Sequence, residues 1–142
     1  MIRIDGTEYN DMPSAEVFAD ATDVWLDNLP LVTALPEMPR ATRVWLINLP
    51  LVVSLPEMPN ATDVWLADLP LVATLPEMPS ATEVWLETLP LVAELPEMPS
   101  ATEVRLDNLP LVALPKMPRA TRVRLAKQRR HAPLRGGNSG KL

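Results

Sequence analysis

A chain of 142 residues, 47% of them hydrophobic, is long enough for one domain with an apolar core and is not typical of a disordered protein. It contains no cysteine, which excludes disulfides, thiol catalysis and cysteine zinc sites. The formal net charge of −5 conceals an asymmetry, because residues 1–115 hold all 18 acidic side chains whereas residues 116–142 hold nine basic ones and no acid. Binding of a polyanion is therefore expected only at the C-terminal end.

The N-terminal segment, residues 1–20, is predicted to cap the rest of the chain. Ile2-Arg3-Ile4 predicts a first strand, and the run from Ser14 to Ala19 predicts a short helix that begins at Ser14. The first five residues contain no apolar h-region, and prolines or charges interrupt every apolar stretch before it reaches membrane-spanning length. We expect a cytoplasmic protein without a membrane segment, and export by a signal-less route stays open.

An internal repeat dominates the chain from residue 21 onward. The pair Ala-Thr recurs at 21, 41, 61, 81, 101 and 120, and the unit reads A-T-x-V-W-L-x-x-L-P-L-V-x-x-L-P-E-M-P-x. The fifth copy is one residue shorter, and the sixth fades after Leu125. A unit of this size cannot bury its apolar face alone, so residues 21–126 are predicted to stack as a solenoid.

Each repeat has one stretch that can form regular structure, because three prolines interrupt the remainder. Ser80-Ala81-Thr82-Glu83 resembles a helical capping box, whereas Val84 and Leu86 alternate with Glu83, Trp85 and Glu87 as in a half-buried strand. A helix of under three turns would be marginal, so the strand is favoured. Parallel strands are predicted near 23–26, 43–46, 63–66, 83–86 and 103–106, in an all-β repeat solenoid with irregular, proline-rich return segments.

The core of each coil is predicted from its apolar positions. Val and Leu of the strand point inward, followed in the first coil by Leu29, Val32, Leu35 and Met38. Six such side chains contribute about 9–18 kcal/mol. Ordering twenty residues costs more, at about 1–2 kcal/mol each for the backbone alone. Neighbouring coils must therefore share their core and hydrogen bonds.

The repeat resembles the 20-residue leucine-rich repeat of bacterial effector proteins, L-x-x-L-x-L-x-x-N-x-L-x-x-L-P-x-L-P. Residues 52–59 match its L-x-x-L-P-x-L-P half, and residues 61–66 match its L-x-x-L-x-L half, with alanine in the first position. Leucine replaces the asparagine of that pattern at 29, 49, 69, 89 and 109, and one extra residue follows the strand. The resemblance, over about residues 21–125, implies a curved solenoid that binds proteins through its strand face. An unrelated proline-rich β-solenoid is the alternative.

Nothing in the sequence predicts catalysis, a cofactor or a metal site. The single histidine, His131, lies in the basic C-terminal part, and no glycine-rich phosphate loop is present. Carboxylates recur with the repeat, and identical coils give them identical surroundings, whereas acid–base catalysis needs two different environments. We therefore expect a non-catalytic protein.

The outward positions of the strands carry the functional prediction. Stacked coils align Trp25, Trp45, Trp65 and Trp85 in a ladder, which Arg105 and Arg124 continue. The ladder is either an aromatic strip for a protein partner or a structural stack that Arg105 closes by a cation–π contact on Trp85. Beside it lies a charged row in which unlike charges meet at 23/43, 43/63 and 103/122. The predicted partner-binding residues are Trp25, Trp45, Trp65, Trp85, Asp63, Glu83, Glu103 and Arg105.

Three further possibilities stay open from the sequence. The threonines at 22, 42, 62, 82 and 102 form a regular row, as in ice-binding solenoids, although charges flank it. Residues 127–142 are predicted to be a basic, disordered tail, which either binds nucleic acid or an anionic surface weakly or is the truncated end of a longer repeat protein. An uncapped last strand around Val123–Leu125 predicts weak head-to-tail self-association.

Overall fold

The computed structural model describes residues 1–111 and 113–126. The strands in this part of the chain are β1 Ile2–Ile4, β2 Thr7–Tyr9, β3 Asp23–Asp27, β4 Arg43–Ile47, β5 Asp63–Ala67, β6 Glu83–Glu87, β7 Glu103–Asp107 and β8 Arg122–Ala126, and helix α1 is Ala15–Asp20. All eight strands form one sheet in the order β2-β1-β3-β4-β5-β6-β7-β8. The predicted repeat solenoid is confirmed, and so is the choice of strand over short helix.

Strands β3 to β8 are parallel, and each residue lies beside its equivalent in the next repeat. Val24 pairs with Val44 and Trp25 with Trp45, and the same register continues to the pairing of Arg105 with Arg124. The five predicted strands begin at the same residues as β3 to β7 and end one residue early. Strand β8 continues the sheet through the incomplete sixth copy of the repeat.

Apolar side chains alternate into the core as the period-2 pattern predicts. In the second coil Val44 and Leu46 of the strand, and Leu49, Val52 and Met58 of the return segment, are all fully buried. Three of the predicted core residues of the first coil, Leu29, Val32 and Leu35, are only partly buried, and the leucine equivalent to Leu35 stays partly buried at positions 55, 75 and 95. The core is therefore a continuous column of side chains along the stack.

Two of the three prolines in each of the first four repeats occupy tight turns. The carbonyl of Leu49 accepts a hydrogen bond from the amide of Val52 at 3.4 Å, and that of Met58 accepts one from Ala61 at 3.3 Å. Pro50 and Pro59 are the second residues of these four-residue turns, a position that suits the fixed φ of proline and uses no amide donor. The prolines therefore direct the chain back to the next strand.

One residue after each of the strands β3 to β7 has a left-handed backbone, with φ between 49° and 61°; these residues are Asn28, Asn48, Asp68, Thr88 and Asn108. Asparagine and aspartate adopt this conformation more readily than other non-glycine residues, because their short polar side chains bond locally. Threonine is β-branched, so Thr88 is the costly member of the set. This turn was not recognised in the sequence, although asparagine or aspartate recurs there.

A hairpin and a helix precede the first parallel strand. Asp5 and Gly6, with φ of 52° and 82°, form a two-residue turn between β1 and β2, and β1 pairs antiparallel with β3. Strand β1 and helix α1 lie where the sequence predicts them, but β2 was missed. Asp-Gly between alternating residues is a strong hairpin signal. The predicted tail, residues 127–142, lies outside the described residues, and within them no helix is long and apolar enough to cross a membrane.

Candidate binding face on the sheet

The outward side chains of β3 to β8 form three rows on one surface, which we call the strand face. The central row is Trp25, Trp45, Trp65, Trp85, Arg105 and Arg124. The first row, at the strand starts, is Asp23, Arg43, Asp63, Glu83, Glu103 and Arg122. The third row, at the strand ends, is Asp27, Ile47, Ala67, Glu87, Asp107 and Ala126. All eight residues predicted to bind a partner lie on this face.

The four tryptophans of the central row, the tryptophan ladder, pack edge to face. Neighbouring ring centroids are 5.0 to 5.2 Å apart, and the ring planes meet at 62° to 68°. This is a favourable arrangement for aromatic quadrupoles. Each indole is nonetheless only half-buried. The rings therefore stack on one another as the structural interpretation predicts, and each keeps part of its surface accessible.

A guanidinium group covers each end of the tryptophan ladder. Arg105 lies 4.4 Å from the ring centroid of Trp85, as the sequence predicts. Arg3 lies 5.3 Å from that of Trp25, because the antiparallel pairing of β1 with β3 sets the two residues opposite each other. The contact of Arg3 was not predicted, since it depends on that strand pairing. Both contacts are within the range of cation–π attraction.

One indole N–H is bonded to a carboxylate that is not among the eight predicted binding residues. Nε1 of Trp65 donates to Oε1 of Glu87 at 2.6 Å. The two residues are on adjacent strands and two positions apart, a diagonal reach that the repeat alone does not specify. Nε1 of Trp25 is buried without a hydrogen-bond partner among the described residues. Glu87 therefore belongs to the candidate site.

The charges of the first row pair as predicted. Arg43 lies 3.7 Å from Asp23 and 4.0 Å from Asp63, and Arg122 lies 3.6 Å from Glu103. Such exposed pairs stabilise little, by about 0–1 kcal/mol each. Asp63 lies directly opposite Glu83, and Glu83 directly opposite Glu103, so like charges also face each other.

Three shallow hollows follow the strand face. The first, of about 270 Å³, lies between Arg3, Trp25 and Arg43. The second, of about 150 Å³, lies over Trp65. The third, of about 260 Å³, is bordered by Glu87, Asp107 and Arg124. Within the described ranges, no group of side chains is arranged to hold a metal ion.

The threonine row next to the strand face serves the stacking of coils. The hydroxyl of Thr42 donates to the carbonyl of Thr22 at 3.2 Å, and the same bond repeats up to Thr121, which donates to Thr102 at 3.1 Å. Backbone amides of the next coil bond to the same carbonyls. This structural role accounts for the regular spacing of the threonines without a ligand.

The strand face combines aromatic rings, paired and unpaired charges and shallow hollows on one sheet, an arrangement that is compatible with a binding role. That the eight predicted residues bind a partner stays a prediction. Comparison of the chain with protein-family models, with curated proteins and with solved structures finds no significant match. The structure therefore shows a repeat protein built of stacked strand units.

Proposed function

We propose that this protein is a non-catalytic scaffold that binds a protein partner through its strand face. The observation that carries the proposal is the tryptophan ladder, four half-exposed indoles held in register on one sheet. Tryptophan is enriched at the energetic centres of protein interfaces, because it offers a large, rigid contact area. Part of each of the four indoles stays accessible, so the ladder offers a partner a continuous aromatic strip along the sheet.

The rigidity of the strand face supports the proposal. The side chains stand on adjacent strands in strict register, and threonine and backbone hydrogen bonds hold the coils together. A preorganised surface loses little entropy when a partner docks. The face is also long and open, and the hollows on it are shallow, which suits an extended segment of another protein better than a small molecule.

We also propose that the chain is related to the short leucine-rich repeat proteins. The support is a 20-residue unit with one short parallel strand and a proline-rich return segment. Asparagine or aspartate in left-handed conformation follows four of the five strands β3 to β7, one position before the leucine that replaces the asparagine of the resembled pattern. In such proteins the strand face is the binding surface, which agrees with the proposal here.

The test compares two apolar truncations in the same coil. Trp65→Ala removes an indole from the middle of the ladder, and Leu71→Ala removes an exposed side chain from the return segment, where 42% of its surface is accessible. We expect Trp65→Ala to abolish capture of the partner from an extract of the source cells, with a melting temperature lowered by only a few degrees. Leu71→Ala should retain capture.

Two results would contradict the proposed function. If Trp65→Ala unfolds the chain, the ladder is a structural stack and the main support for binding is lost. If Leu71→Ala weakens capture as much as Trp65→Ala does, the partner does not use the strand face. Circular dichroism of both variants, recorded beside each capture experiment, separates these two cases.

A further inference from the structure

The strand face is most acidic in its middle. Strands β5, β6 and β7 carry one outward cation, Arg105, and five outward carboxylates: Asp63, Glu83, Glu87, Glu103 and Asp107. Strand β8 beside them carries Arg122 and Arg124 and no acid. The middle of the face therefore attracts cations, and its last strand repels them.

Among the residues that the structure describes, three of these carboxylates lack a cationic partner. Glu103 is shared by Arg105 at 3.8 Å and Arg122 at 3.6 Å, and Asp63 lies 4.0 Å from Arg43. Within the described residues Glu83, Glu87 and Asp107 form no ion pair, and Oδ1 of Asp107 is buried without a hydrogen bond. The unpaired charges lie on β6 and β7, beside Trp65 and Trp85.

The tryptophan ladder already accepts guanidinium groups of its own chain. Arg3 covers Trp25 and Arg105 covers Trp85, so both ends of the ladder carry a cation. Trp45 and Trp65, between them, carry none among the described residues. Each of these two rings packs edge to face against two neighbouring indoles, 5.0 to 5.2 Å away, and no guanidinium of the described residues covers the part of the ring that stays accessible.

The hollow over Trp65 brings the two features together. It is lined by Trp45, Trp65, Trp85, Asp63 and Glu83, and its volume is about 150 Å³. Asp63 and Glu83 lie directly opposite each other on β5 and β6, so their like charges repel, and Arg43 offsets that of Asp63 only from 4.0 Å on the side away from Glu83. A water molecule occupies about 30 Å³, so the hollow has room for a planar guanidinium group.

We propose that the partner presents an arginine-bearing segment, and that an arginine guanidinium occupies this hollow, stacked on Trp65 between Asp63 and Glu83. The inference rests on the proposed function and names the chemistry of the partner. Arginine suits the site better than lysine, because its flat fork of donors stacks on an indole and pairs with carboxylates in the same plane. Its binding also relieves the repulsion between the two acids.

The test uses the full chain and its own fluorescence. All four tryptophans lie in the ladder, so their emission reports on this surface alone. We expect hexa-arginine to quench the emission at low salt and to bind more tightly than hexa-lysine, with no response to hexa-glutamate. Glu83→Gln, which keeps the shape of the side chain, should raise the Kd for hexa-arginine about fivefold.

Glu77→Gln is the matched control, because it removes the same charge from an exposed position on the return segment. It should change the Kd less than about twofold. Equal effects of the two variants would overturn the proposal, since the attraction would then be that of the net charge. Absence of quenching by hexa-arginine would overturn it as well.

Failure of this inference is distinguishable from failure of the proposed function. If hexa-arginine does not bind but Trp65→Ala still abolishes capture of the partner, the strand face binds a partner of other chemistry. If neither experiment responds, both proposals are wrong. A third outcome is that Trp65→Ala retains capture while Glu83→Gln specifically loses hexa-arginine binding. The face would then hold a cation site that the captured partner does not use, which overturns the claim that the partner supplies the arginine.

Discussion

The two ends of the described solenoid differ in what replaces the missing neighbouring coil. An interior coil shares hydrogen bonds and core contacts with a coil on each side. At the N-terminal end, Oδ1 of Asp5 accepts hydrogen bonds from the amide of Thr22 at 3.0 Å, its hydroxyl at 2.9 Å and the amide of Asp23 at 2.9 Å. One coil later, the carbonyl of Thr22 accepts the equivalent three bonds from Thr42 and Arg43, at 2.8 to 3.2 Å. A carboxylate thus replaces the carbonyl of a preceding coil.

No strand follows β8 within the described residues, and the core of the last coil is correspondingly open. Met117, Ala120 and Leu125 are only partly buried, although their equivalents one repeat earlier, Met98, Ala101 and Leu106, are almost completely buried. The same residue type therefore buries less surface, and stabilises the fold less, where a neighbouring coil covers it on only one side. Head-to-tail association through this edge stays a prediction.

The largest expected difference between the two ends comes from their apolar side chains. Phe18 of α1 is completely buried, so Phe18→Ala should lower the free energy of unfolding by about 3–5 kcal/mol. Met117 is partly exposed in the last coil, so Met117→Ala should cost about 1 kcal/mol. Urea unfolding followed by circular dichroism measures both. Equal losses would contradict the asymmetry of the ends.

Removal of the Asp5 carboxylate should have the next largest effect. Asp5→Ala leaves three donors of Thr22 and Asp23 without their acceptor and also places alanine at a φ of 52°. We expect the free energy of unfolding to fall by about 2 kcal/mol, because loss of a helix-capping acceptor and a left-handed alanine each cost about 1 kcal/mol in other proteins. Asp11→Ala, at an exposed position of the same segment, is the control and should change stability by less than about 0.5 kcal/mol.

The same carboxylate should make stability depend on acid pH. Burial by itself would raise the pKa of Asp5, but hydrogen bonds from Asp23 and Thr22 outweigh it and hold the pKa below the usual 3.8. Because the pKa is lower in the folded state, the stabilisation is present above pH 3.8 and is lost as pH falls through the folded value. The melting temperature of the wild type should therefore approach that of Asp5→Asn below this pH. A constant difference between them would contradict the assignment.

A smaller change, a gain in stability, is expected for a substitution in an interior coil, away from both ends. Thr88 has a φ of 49°, where the equivalent residue of the second coil is Asn48. Thr88→Asn should raise the free energy of unfolding by about 1 kcal/mol, because it removes the strain of a β-branched left-handed residue. Thr74→Asn, at an exposed position on the return segment of the preceding coil, should leave it nearly unchanged. Thermal melts of both variants decide this.

The strict period of the sequence is what made the face predictable. It fixes which residues are neighbours in a parallel sheet, so the tryptophan ladder, the contact of Arg105 with Trp85 and the pairing of Arg43 with two aspartates follow from the spacing alone. The predicted inward positions also follow from it. These features need no knowledge of backbone geometry beyond the stacking itself.

What the sequence did not reveal lies outside the repeat or depends on side-chain direction. The three bonds to Asp5 and the place of Arg3 over Trp25 require the antiparallel hairpin, which breaks the parallel period. The bond from Trp65 to Glu87 requires a diagonal reach between strands. The Asp5-Gly6 pair was the sequence signal that could have revealed the hairpin. No sequence signal marked the bond from Trp65 to Glu87.

Residue-resolved amide hydrogen exchange tests most directly the claim that in-register coils stack from a closed N-terminal end to an open last coil. One amide per coil occupies the same position: those of Arg43, Asp63, Glu83, Glu103 and Arg122 bond to threonine carbonyls, and that of Asp23 bonds to the carboxylate of Asp5. We expect Asp23 to be protected as well as Asp63, and Arg122 to exchange first. Exchange of Asp23 as fast as that of Arg122, or no order along the stack, would contradict the account.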